Sequence, residues 1–87
     1  MYNKRTWLNS EISRSTGSIV CFYGKANWGK EEPELDMFVE LGDCCGKARI
    51  HKAKFETEEE YIQKIKLLRD ELIKFVDYLE NKRAKND

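Results

Sequence analysis

"LDMFVELGDCCGKARIHK", residues 35–52, decides the fold, because apolar and polar side chains alternate on both sides of a turn. Leu35, Met37, Val39 and Leu41 fall on one face of the first arm, and Asp36, Phe38 and Glu40 on the other. Beyond Gly46, Ala48 and Ile50 alternate with Lys47, Arg49 and His51, so the stretch reads as a β-hairpin tipped by "GDCCGK". Parity selects the pairing, since a slip of one residue would turn every side chain to the wrong face. With Asp43 and Cys44 as a two-residue turn, Glu40 faces Lys47, Val39 faces Ala48, Phe38 faces Arg49, Met37 faces Ile50 and Asp36 faces His51. A four-residue loop keeps the same faces and moves Glu40 opposite Arg49.

Working outward, "SIVCFYG" at 18–24 is rich in β-branched and aromatic residues and bounded by Gly17 and Gly24, which predicts a strand apolar on both faces. Ile19, Cys21 and Tyr23 share one face, Val20 and Phe22 the other. "KANWGKEEPE" reads as a charged loop that carries Trp28 and the single proline. Residues 1–16 are polar with isolated apolar positions and read as an arm anchored by Trp7 and Leu8.

The C-terminal third predicts one long helix over 57–83, followed by a frayed tail at 84–87. Thr57 and Glu60 have the spacing of a capping box, and the acids at 58–60 suit the positive end of a helix dipole, as Lys82 and Arg83 suit the negative end. Tyr61, Ile65, Leu68, Leu72, Phe75 and Leu79 form a stripe at alternating spacings of four and three. The expected fold is therefore α+β: a three-stranded antiparallel meander over 17–54 with the helix packed on it, in a single domain of residues 1–87.

Composition narrows the function classes. A chain of 87 residues buries only about 60–65% of its unfolded surface, so its core is thin and a partner would help to complete it. Sixteen basic residues balance sixteen acidic ones, which removes a general charge-driven attraction to nucleic acid or anionic membrane. No apolar run reaches membrane-spanning length and the first residues lack a secretory signal pattern, so the expected location is the cytoplasm. Three cysteines, two of them adjacent, fit free thiols in a reducing compartment.

Reaction chemistry is sparse. Cys21, Cys44, Cys45 and His51 supply the right ligand types for zinc, but no CxxC or HxxxH spacing brings two of them to one ion, and neighbours in extended chain point apart. The expectation is no metal site, no catalytic residue and no cofactor; His51 has only Asp36 as an expected neighbour, which reads as a sheet-surface ion pair. Two surfaces remain as candidates. Tyr23, Trp28, Phe38, Lys47, Arg49, His51 and Lys52 compose a binding face, and Leu72, Phe75, Val76 and Leu79 compose a homodimer interface on the part of the helix that overhangs the sheet.

Strands followed by a long C-terminal helix, with the "WGKEEPELD" stretch leading into a strand, resemble the PC4-like single-stranded DNA-binding family over residues 17–80. That resemblance implies a related fold and a dimer. The leading expectation is a small non-catalytic binding or regulatory module acting through protein–protein contact, of the accessory kind that bacteria and their phages encode. The other is a single-stranded nucleic-acid binder whose rings stack on bases while cations track phosphates.

Overall fold

In the computed structural model, residues 1–9, 17–26 and 34–86 are described. They form β1 (Tyr2–Trp7), β2 (Gly17–Ala26), β3 (Glu34–Asp43), β4 (Gly46–His51) and α1 (Glu58–Asn86), in that order. The chain divides into two compact units, Met1–Ala53 and Lys54–Asp87. The first is an antiparallel sheet of strand order β1-β2-β3-β4, and the second contains the helix. The class is α+β as expected, but the sheet has four strands and not three.

The additional strand is β1, taken from what reads in sequence as an arm. Tyr2 pairs with Tyr23, Lys4 with Cys21 and Thr6 with Ile19, and the ladder continues past Trp7 through the Leu8 amide, which donates to the Gly17 carbonyl at 2.8 Å. Trp7 and Leu8 do not anchor an arm against a core; both are exposed. An edge strand needs no apolar alternation to hydrogen bond, and the charges of Lys4 and Arg5 guard its open side against pairing with other chains.

The two central strands carry the burial. Met37, Phe38 and Val39 are consecutive and all buried, so both faces of β3 are covered at its middle. Tyr23, Cys21 and Ile19 lie across from Met37, Val39 and Leu41 on one face; Phe22 and Val20 lie across from Phe38 and Glu40 on the other.

The β3–β4 hairpin keeps the expected faces and corrects the expected partners. Glu40 pairs with Arg49, Val39 with Ile50 and Phe38 with His51, and the turn is Cys44–Cys45 between the paired Asp43 and Gly46. This is the partner set of the four-residue-loop alternative, closed two residues further. Side-chain capping accounts for it: Asp43 Oδ1 accepts from the amides of Cys45 and Gly46 at 2.8 and 3.2 Å. Neither cysteine has a positive φ, and the positive value falls on Gly46 at 153°. Gly42 pairs with Lys47, and a Cβ there would lie 3.2 Å from that of Lys47, a tight approach that would require Lys47 to shift by a few tenths of an ångström.

In the second unit the capping box is formed. The Glu60 amide donates to Thr57 Oγ1 and the Thr57 amide to Glu60 Oε1, each at 3.1 Å. The helix runs 29 residues, about 43 Å at its usual rise. Tyr61 is buried and Ile65 and Leu68 are half-buried, whereas every residue from 71 to 84 is exposed. Among the described residues, no helix is long and apolar enough to cross a membrane.

Candidate functional site

The candidate binding face does not assemble as one surface. Phe38, Lys47, Arg49 and His51 share a face of the sheet, as the pairing of Phe38 with His51 and of Glu40 with Arg49 requires. Tyr23 is on the opposite face, across from Met37. The Lys52 amide donates to the Met37 carbonyl at 3.0 Å, which continues the ladder and assigns Lys52 to the face of Met37; its ammonium donates to the Ala53 carbonyl. Trp28 lies outside the described residues.

What the shared face contains is an ordered cation–aromatic cluster. The rings of Phe22 and Phe38 stack with centroids 5.0 Å apart and planes 14° from parallel. Arg49, from the strand on the other side of β3, lies over Phe38 at 4.0 Å from the ring centroid. Glu40 fixes that guanidinium: Nε and Nη2 donate to Oε2 at 3.0 and 2.7 Å, and Lys47 approaches the other oxygen at 3.9 Å. The Arg49 hydrogen bond holds the Glu40 carboxyl below the usual carboxylate range; withdrawal from water opposes this, and the charges of Lys47, Arg49 and Arg5 assist it. Further along the same face, Arg5 lies 5.6 Å from the ring centroid of Trp7, which is 62% exposed.

This arrangement changes the chemical reading of individual residues. Phe38 is only 6% exposed, held between Phe22 and Arg49, so its ring offers no face on which a base could stack. Arg49 is paired with Glu40, which Lys47 approaches only loosely, so that one carboxylate offsets one of the two cationic charges. His51 does not pair with Asp36, whose cross-strand neighbours are Gly24 on β2 and, by register, no residue of β4; Asp36 Oδ1 accepts from the Met37 amide instead. Sequence reasoning set Glu40 on this face by parity but did not nominate Arg5, Trp7 or Phe22 for it. Placing Phe22 needed the β2–β3 register, and placing Arg5 and Trp7 needed β1.

The proposed interface residues of α1 are placed together. Leu72, Phe75, Val76 and Leu79 are between 47% and 56% exposed and project at the three- and four-residue spacings that put them on one side of the helix. Ile73, also exposed, widens that side. All three cysteines are free, and among the described residues no group of three or more His, Cys, Asp or Glu is placed to hold a metal ion. No protein-family model, curated protein or solved structure matches the chain.

Proposed function

We propose that this chain is a small non-catalytic binding module that pairs with a second copy of itself through the C-terminal half of α1 and leaves its sheet free to meet a protein partner. One observation carries the reading: the apolar side formed by Leu72, Ile73, Phe75, Val76 and Leu79 stands in water, where it gains nothing. Each of these side chains exposes roughly half its surface, so two copies would bury about 1,000 Å² in total, the lower bound of a specific interface.

Charge distinguishes the orientation. On the heptad in which Ile65, Leu72 and Leu79 occupy a and Tyr61, Leu68 and Phe75 occupy d, a parallel pair sets Lys64 at g against Arg69 at e of the second copy and gathers the acids 58–60 of both chains. An antiparallel pair centred on Leu72–Leu79 keeps the acids 58–60 of the two chains apart and opposes the two dipoles. The antiparallel pair is favoured. Changing Leu72 and Leu79 together to Glu should give a helical monomer by circular dichroism and size-exclusion chromatography. Leu67→Glu, on the far side of the helix, should leave the dimer intact. An unchanged oligomer in the double variant would remove the proposal.

The second reading, a cytoplasmic single-stranded nucleic-acid binder, is favoured by one observation, the exposed Trp7 ring under Arg5 on the face that also carries Lys47 and Arg49. Fluorescence anisotropy separates the readings. A nucleic-acid binder should lose log affinity against log salt with a slope of about −0.7 per neutralised phosphate, flattened by Arg5→Ala with Lys47→Ala. The protein-binding reading expects no saturable binding of a labelled single strand near physiological salt.

A further inference from the structure

The hairpin tip carries chemistry that neither surface uses. In extended chain adjacent side chains point to opposite sides, but the Cys44–Cys45 turn brings the two sulfurs to 3.9 Å from each other, with both residues exposed. The turn is held from beneath by Asp43, whose carboxylate oxygen takes the amides of Cys45 and Gly46. We propose that Cys44 and Cys45 form a two-sulfur chelating site for a thiophilic centre that takes two ligands, the chemical class of a monosubstituted trivalent arsenical.

Three alternatives for a thiol pair are weighed by geometry and ligand number. A disulfide would have to close over adjacent residues, whose Cα atoms are about 3.8 Å apart, short of the roughly 4.4–6.8 Å that disulfides span. A tetrahedral metal ion wants four ligands, and among the described residues no third Cys, His, Asp or Glu is placed to join these two. A centre that needs two sulfurs and no more is satisfied in full. Two sulfurs bound about 2.3 Å from a shared atom, the zinc–thiolate distance taken as a guide, stand about 3.3–3.8 Å apart for angles from about 90 to 110°. The observed 3.9 Å requires little closing.

The step involves no oxidation. Two thiols and an arsonous acid, R–As(OH)2, exchange two As–O bonds for two As–S bonds; each thiol proton leaves with a hydroxyl group as water, and arsenic stays trivalent. Because the second sulfur binds within the chain, the adduct should resist displacement about 100-fold better than a one-sulfur adduct.

The test uses the reduced full chain and phenylarsine oxide, read by intact-mass spectrometry. One adduct per chain is expected, stable to excess 2-mercaptoethanol and released by 2,3-dimercaptopropanol. Cys44→Ser and Cys45→Ser should each lose that stability while keeping the wild-type circular dichroism, and Cys21→Ser should retain it. The proposal is overturned by an adduct that either tip variant keeps, by one that Cys21→Ser abolishes, by none forming, or by ready closure of a Cys44–Cys45 disulfide with glutathione disulfide.

Discussion

Phe38 and Arg49 show how a single contact sets what the sheet face can do. The stacked Phe22–Phe38 pair contributes about 0.5–1.5 kcal/mol beyond its burial, and a guanidinium over a ring at a partly exposed site about 0.5–1 kcal/mol. Phe38→Ala should therefore cost about 3–5 kcal/mol in denaturant unfolding, and Arg49→Ala about 1 kcal/mol. Equal losses would contradict the assignment of Phe38 to the core and Arg49 to its lid. Acid provides an independent check. Because Arg49 depresses the folded-state pKa of Glu40, its contribution is complete above the unfolded carboxylate value of about 4.3 and is lost as pH falls through the lower folded value. Glu40→Gln should flatten the decline of stability in that acid range; an unaltered decline would show that the pair does not persist in solution. The cluster was only partly legible in sequence. Phe38 and Arg49 fall on one face by parity alone, whereas Tyr23 joined the candidates because nothing in "KANWGKEEPE" states which face of β2 continues that of β3.

Among the elements, α1 and the hairpin were readable because each carries redundant signals, a capping box with a stripe in one case and alternation across a turn in the other. The hairpin register slipped by two because acid meets base in both alignments, so charge pattern does not separate them; the Asp43 cap does. A double-mutant cycle on Glu40 and Arg49 should give a coupling larger than that for Glu40 and Lys47. The reverse ranking would restore the expected register. β1 was illegible for the opposite reason, since "YNKRTW" alternates nothing and its pairing rests on backbone hydrogen bonds. The Leu8–Gly17 bond sets the phase of that ladder: amides of Lys4, Thr6 and Leu8 point at β2, and those of Asn3, Arg5 and Trp7 at the open edge. Hydrogen exchange should alternate accordingly, slow then fast. Uniformly fast exchange over residues 2–8 would remove β1 from the sheet.

At the scale of the whole molecule, the account rests on an imbalance between two ends of one helix. Near its start Tyr61 is buried and the cap is closed, while from Leu72 onward five large apolar residues on one side remain exposed. A thin sheet with a three-residue buried centre at Met37–Val39 has little core to spare, so covering that stripe is the largest available gain in apolar burial. Self-association is the central claim, and sedimentation equilibrium over a range of micromolar concentrations tests it most directly. The account predicts a species of twice the 10.3 kDa chain mass, dissociating on dilution. A folded species that stays at 10.3 kDa up to high micromolar concentration would contradict it.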